Sequence, residues 1–263
     1  MGDAQSKLKT VSAYSDAFRD MVNDCVSWKD NPGRRLKLTN EHEWSFVCVA
    51  MDILGDATAA IDHVLRFALD GPTKYDDTGE KYLRLYGVLG AAYSQQRAAL
   101  KLHKLTNCPD VKGVKKRADA LKITVLRHQI AAHSLDYFDT GSAYVPVRIA
   151  LGGFSCTVTE NRGDAWMVHD LKEAIAEHCD FMADLMDAIY EKCLKTFFKN
   201  NKSKQAEHLA KLEELRKIRA GWVVMHAGPV KIVIQPVSAK RTRTAGRTEV
   251  SPGNGEKNAA DEV

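Results

Sequence analysis

Long apolar runs are missing from this chain of 263 residues. None approaches the roughly 18 uninterrupted apolar residues that suggest a membrane span, so no membrane association through a span is expected. The N-terminus, MGDAQSKLKTVS, has no apolar stretch of the secretory kind. It does fit the short M-G-x-x-x-S pattern of acylation through Gly2 and Ser6, but Asp3 puts a charge beside the acceptor. The 6 cysteines form no C-x-x-C pair and lack the density of a disulfide framework. Several fall on apolar faces, where a reduced thiol packs as a small hydrophobe. A reducing compartment, and hence a cytoplasmic location, is expected.

Metal-binding spacings are also scarce. His128 and His133 stand five apart, about 140° around a straight helix, unlike the i, i+4 pair of a helical zinc site. Glu-x-x-His pairs facing the interior of a bundle are not found. His42, between Glu41 and Glu43, reads as exposed, while His63 and His103 read as packing histidines. No metal and no cofactor are expected. Gly152-Gly153 reads as a turn, because neither a P-loop lysine nor a helix start follows it. No internal repeat is present.

What remains is an ordinary globular composition, 44% apolar and 27% charged, long enough to bury a full core. Residues Phe46, Ala50, Ile53, Ala57, Ala60, Val64 and Phe67 recur at steps of four and three. That stripe predicts a long helix from Glu41 to Leu69 with Thr39 or Asn40 as its cap. DGPTKYDDTGE is a loop, followed by a second long helix with Tyr82, Leu85, Leu89, Ala92, Gln96, Ala99 and His103 on one face. A third helix is predicted to run unbroken from about Asp110 through His133, and Asp170 caps a fourth with Leu171, Ile175, Met182, Ile189 and Cys193 inward. Between them, YVPVRIALGGFSCTVTE has the period and glycines of a β-hairpin over about residues 143–160.

The expected fold is therefore all-α: an up-down bundle of four or more long helices with a small β-hairpin insertion. The expected segments are an N-terminal helix and linker over 1–39, the bundle over 40–200, a polar helix over 201–222, and a basic, mostly disordered tail over 223–263. Lys240, Arg241, Arg243 and Arg247 in that tail suit a nonspecific nucleic-acid arm or a solubilising extension. The acidic stripe Glu173, Glu177, Asp180, Asp184, Asp187 and Glu191 reads as a solvated face.

Chemistry concentrates in the third helix. Lys101, Lys104, Lys112, Lys115, Lys116, Arg117, Lys122 and Arg127 face only Asp110 and Asp119 there, which makes a track for a phosphate backbone or simply a solubilising face. On a straight helix Arg127 and His133 would stand about 9 Å apart along the axis and roughly 120° apart around it. One helix end cannot then grip one phosphate with both. A second copy of the same end, meeting it across a two-fold axis past small Ala131 and Ala132, would complete the site.

The stretch RHQIAAHS, Arg127 to Ser134, resembles the R-x(4–6)-H signature of the HEPN superfamily, helical bundles that include RNA-cleaving toxins and defence proteins. The polar residue after the arginine, the small residue before the second histidine and the surrounding order of long helices all fit that resemblance; YGVLGAAYSQQRAAL, Tyr86 to Leu100, also resembles the preceding helix of some members. The resemblance implies a metal-independent endoribonuclease, a homodimer of toxin or anti-phage type acting on RNA, with a neutralising antitoxin or regulatory protein as a further partner. In it Arg127 steadies the charged phosphorane, His133 moves protons on and off the ribose and leaving oxygens, and His128 assists. Lys116, Arg117, Lys122, Gln129 and Ser134 are the candidate substrate contacts. A toxin branch carries a modifiable tyrosine two residues after the histidine, where this chain has Leu135 and then Tyr137. The alternatives are a HEPN-like module that binds RNA, nucleotide or a partner protein without cleaving, and a helical assembly adaptor.

Overall fold

The computed structural model describes residues 3–27, 32–72, 77–162, 166–227 and 230–234. It is mainly helical. Long helices α1 (Ala4–Ser27), α3 (Glu41–Phe67), α4 (Thr78–Leu105) and α7 (Leu171–Phe197) form the bundle. The short helices α2 (Pro32–Arg35), α5 (Val111–Asp119) and α6 (Lys122–Arg127) lie between them, and α8 (Lys202–Arg219) follows. Helix α3 begins where the sequence indicates: Asn40 Oδ1 accepts from His42 N at 2.9 Å and Glu43 Oε2 from Thr39 N at 3.0 Å, two orphan donors satisfied at once. Asp170 caps α7 in the same way, accepting from Glu173 N at 3.0 Å.

The apolar stripes of α4 and α7 do what their periodicity implies, while in α3 Phe46, Ala60 and Phe67 of the expected stripe are exposed. Leu85, Leu89, Ala92 and Ala99 of α4 and all five predicted inner residues of α7 are buried. One hydrophobic core runs from Ala4 in α1 to Leu215 in α8, so the segments that flank residues 40–200 belong to the same core. Val11, Tyr14, Phe18 and Met21 carry α1 into it against α7 and α3. Helix α3 is, among the described residues, the one helix whose length and apolar composition would let it cross a bilayer. It packs along α4 and α1 through Val47, Ala50, Leu54, Ile61 and Val64. None of the six cysteines is in a disulfide, five of them are buried, and burial pushes the thiols of Cys156 and Cys179 up to about 11 and about 12.

The structure refines several expectations. The third helix is not continuous: α5 ends at Asp119, Leu121 is extended, and α6 starts afresh at Lys122. The insertion is a three-stranded antiparallel sheet, β1 (Tyr144–Pro146), β2 (Ser155–Glu160) and β3 (Trp166–Asp170), rather than a hairpin. Its register sets Val145 opposite Thr159 and Thr159 opposite Trp166. Cys156 and Val158 therefore face the core while Val145, Trp166 and Val168 remain exposed. Gly153, at φ +54°, makes the turn before β2, and its carbonyl accepts from Leu69 N at 2.9 Å, which ties the sheet to the end of α3.

At the start of the tail β4 (Val223–Ala227) pairs with β5 (Val230–Ile234). The basic cluster from Lys240 to Arg247 lies outside the described residues. Finally, the acidic stripe of α7 is paired as well as solvent-facing. Arg216 and Arg219, three apart on α8, engage Asp187, Glu191 and Asp184, while Lys7 of α1 takes Asp180 and Lys122 takes Glu173. The stripe docks α8 and α1, which sequence periodicity alone does not distinguish from a wet face.

Candidate functional site

Helix α6 is set on α4 by two contacts in antiparallel register. Thr124 Oγ1 donates to Gln96 Oε1 at 3.0 Å. Three residues on, the Arg127 guanidinium lies over the Tyr93 ring, 3.8 Å from its centroid, and Tyr93 is three residues before Gln96. The first contact is buried and the second half-open. A stacked guanidinium is worth about 0.5–2 kcal/mol and holds its plane while its N–H edges stay available.

Behind Gln96 runs a sealed chain of polar side chains. Gln96 Nε2 donates to His178 Nδ1 at 3.1 Å, so the ring carries its proton on Nε2, which donates to Gln95 Oε1 at 2.8 Å. Gln95 Nε2 then donates to Thr58 Oγ1 at 2.7 Å and to the Leu54 carbonyl at 3.3 Å. His178 is completely buried, and burial lowers its pKa to about 4. It is a neutral cross-link between α4 and α7, with every ring nitrogen used.

Beyond Arg127 the backbone leaves α-helical geometry. Residues His128–Ala132 form a π turn closed by His133 N to His128 O at 2.9 Å. An i→i+5 bond brings residues five apart into register, as an α-helix does for residues four apart. The two imidazoles that a straight helix would hold about 140° apart thus meet with ring centroids 5.4 Å apart. Arg127 Nη1 lies 3.4 Å from His128 Nδ1; a guanidinium only donates, so this nitrogen is the acceptor. Burial first, then the charges of Arg127 and His133, hold His128 below the ordinary histidine range. Lys115 and Asp119, an ion pair at the end of α5, act on the same ring in opposite directions.

Arg127, His128 and His133 are each half-buried, and among the described residues none is paired with a carboxylate. Phe138 closes the group: its ring lies 4.4 Å from His133 and 5.2 Å from His128 yet stays 53% exposed. Its backbone is left-handed, φ 52° and ψ 44°, as is Asp139 at φ 60°. For a bulky residue that conformation costs on the order of 1–3 kcal/mol and persists only where the surroundings impose it. Here they do: Tyr137 N donates to Ser142 O at 2.7 Å and Gly141 N to Asp136 Oδ1 at 2.8 Å, closing the loop.

The other candidate contacts divide. Lys116 and Arg117 are exposed on α5, one helix away from the cluster. Lys122 is engaged by Glu173 of α7 and is not a free phosphate contact, because α6 packs beside the acidic stripe. Gln129, two residues past Arg127, is buried at 8% exposure, and its Oε1 has no hydrogen-bond partner among the described residues. Ser134 acts through its carbonyl, which accepts from Tyr144 N at 2.8 Å and anchors β1 to the π turn. His63 is exposed against Phe67 instead of packed, whereas His103 is buried as expected. Sequence reading missed Tyr93, Phe138 and His178. Tyr93 lies within the YGVLGAAYSQQRAAL stretch and Phe138 five residues past His133, which is the only signal that either gives.

Among the described residues no three His, Cys, Asp or Glu side chains gather in a way that could hold a metal ion. In comparison with known proteins, no family model, no curated protein and no solved structure matches this chain.

Proposed function

We propose that the chain is a metal-independent endoribonuclease of the HEPN kind, cleaving RNA by attack of a ribose 2′-hydroxyl on the adjacent phosphodiester. One observation carries this reading: the π turn gathers a carboxylate-free arginine and two half-open imidazoles at one place. The reaction needs those groups and no protein nucleophile. An imidazole takes the 2′-hydroxyl proton as the oxygen bonds to phosphorus, and a protonated imidazole gives one to the departing 5′ oxygen as that bond breaks. The products are a 2′,3′-cyclic phosphate and a free 5′-hydroxyl. Arg127, permanently charged and fixed on Tyr93, offers its N–H edge to the non-bridging oxygens where charge accumulates. His128, its pKa lowered, accepts the proton on Nδ1 once the Arg127 guanidinium turns from that nitrogen to the phosphate, with His133 its partner in transfer.

A second copy of the chain sharpens the arrangement. Ala131, Ala132 and Leu135, the last 89% exposed, surround the motif with apolar surface that a two-fold partner would cover. A toxin or defence role, kept in check by a neutralising protein, fits such an enzyme.

The test is incubation of purified chain with labelled RNA in EDTA, beside Arg127→Ala and His133→Ala. Cleavage by the unaltered chain that both substitutions abolish, with cyclic phosphate ends on the products, is the expected result. Binding without cleavage would instead make the chain an RNA-binding module, and absence of binding would leave the adaptor role.

A further inference from the structure

Phe138 packs on surface rings and not into the core. Half its ring faces solvent, its backbone is left-handed, and the loop around it is closed by its own hydrogen bonds and by Tyr137, whose ring packs edge-on to Phe138 and to Tyr144. A phenylalanine that served only the core would relax inward. This one is held out, over the His133 imidazole, at 4.4 Å and 33° between planes. Flat, apolar and open on one side, it is what a nucleobase stacks on, and an unpaired base is the kind that is free to do so.

We infer that Phe138 is a base-stacking subsite that admits an unpaired nucleotide next to the bond cut, so that the site takes single-stranded RNA and not duplex. The inference rests on the ribonuclease reading for the position of the bond, but stacking itself requires binding only. A base lying on Phe138 carries its ribose past His133, the ring that Phe138 adjoins, while the following phosphate reaches Arg127 through His128's neighbourhood. In a paired stem that base is buried between its neighbours and cannot reach the ring.

The experiment measures binding by fluorescence anisotropy of the full chain, using a 12-nucleotide RNA with 2′-O-methyl riboses throughout, which cannot be cleaved by 2′ attack. The same sequence is presented unpaired and annealed to its complement. Phe138→Ala is expected to weaken binding of the unpaired strand by about tenfold to a hundredfold, in line with loss of one stacked base, and Phe138→Trp to preserve it. Phe138→Asn, which suits a left-handed backbone, separates function from folding: it should melt at or above the temperature of the unaltered chain while binding as weakly as Phe138→Ala. Equal binding of single strand and duplex overturns the inference, as does unchanged binding by Phe138→Ala. If the chain cleaves unmodified RNA and Phe138 proves immaterial, the subsite falls and the enzyme stands. If it binds through Phe138 and never cleaves, the reverse holds; a chain that binds no RNA loses both.

Discussion

Two histidine clusters share the α4–α6 contact and differ in everything that matters to chemistry. Around His178 each nitrogen has its partner, the side chain is completely buried, and the ring is neutral over most of the pH range. Around His128 and His133 the partners are rings and one guanidinium, and every member is partly open to solvent. A satisfied polar network specifies how helices dock and has no valence left for a substrate. A cluster held by stacking and by one long Arg127–His128 contact leaves most of its N–H groups and lone pairs to be used. Thr124 and Arg127, three residues apart on α6, belong one to each. The sealed network therefore sets the register of the helix that presents the open one.

The largest effects should separate the two clusters. Arg127→Ala or His133→Ala should cut RNA cleavage by on the order of a thousandfold while leaving the melting curve within a degree or two. His178→Ala should do the opposite. It leaves Gln95 and Gln96 unpaired in the core beside a void, costing about 3 kcal/mol in a urea titration, with cleavage per folded molecule retained. Equal loss of stability in both sets would dissolve the distinction.

Acid sharpens the same comparison. A histidine whose folded pKa lies below its unfolded value binds fewer protons folded than unfolded. Its stabilising contribution is complete above pH 6.5 and declines as pH falls toward the folded value. For His178 the window runs from about 6.5 to about 4, and protonation of the unfolded state alone removes about 3 kcal/mol across it. Urea midpoints measured from pH 7 to pH 4.5 should fall steeply in the unaltered chain and less so in His178→Ala. Cleavage should follow the other ring: with His128 shifted below the ordinary histidine range, the acid limb of the rate profile should sit below pH 6.5. A limb at or above that value would remove His128 as the proton acceptor.

Tyr93 is the open cluster's own support. Tyr93→Ala should slow cleavage about threefold to thirtyfold, as expected from losing one cation–π contact of about 0.5–2 kcal/mol, and Tyr93→Phe should restore most of it, since the ring face and not the hydroxyl meets Arg127. An unchanged rate in Tyr93→Ala would mean that the guanidinium finds its place without the ring.

Much of the bundle was legible because long helices declare themselves through burial. The stripes of α4 and α7, the extent of α3 and the caps Asn40 and Asp170 follow from residue order alone, whereas the buried face of α3 runs through Val47, Leu54 and Ile61 and leaves Phe46, Ala60 and Phe67 of the expected stripe exposed. Strand β3, Trp166–Asp170, escaped because its exposed positions, Trp166 and Val168, are apolar and erase the inward–outward alternation. The site was legible in its residues and not in its geometry. Arg127, His128 and His133 are readable as a motif, but the π turn that joins them depends on where α6 is pinned to α4 and where Tyr144 holds the Ser134 carbonyl. Such tertiary ties have no periodic signature. The surroundings of Gln129 and Lys122 are illegible for the same reason: packing buries the one and pairs the other with Glu173.

The smallest effects concern the basic track, where spent and unspent charges can be told apart. Lys116 and Arg117 are exposed on α5, whereas Lys122 is held by Glu173 beside the same path. An exposed cation that meets a phosphate releases about one counterion on binding. Lys116→Ala and Arg117→Ala should each weaken RNA binding modestly and evenly across sequences, and flatten the dependence of log affinity on log salt by somewhat less than one unit. Lys122→Ala should leave both nearly unchanged, because forming a phosphate contact there would first require breaking an ion pair for little net gain. If Lys122→Ala flattened the slope as much as the other two, Glu173 would have to give way when RNA arrives, and the acidic stripe of α7 would then act as a competitor for substrate rather than as the seat of α8 and α1.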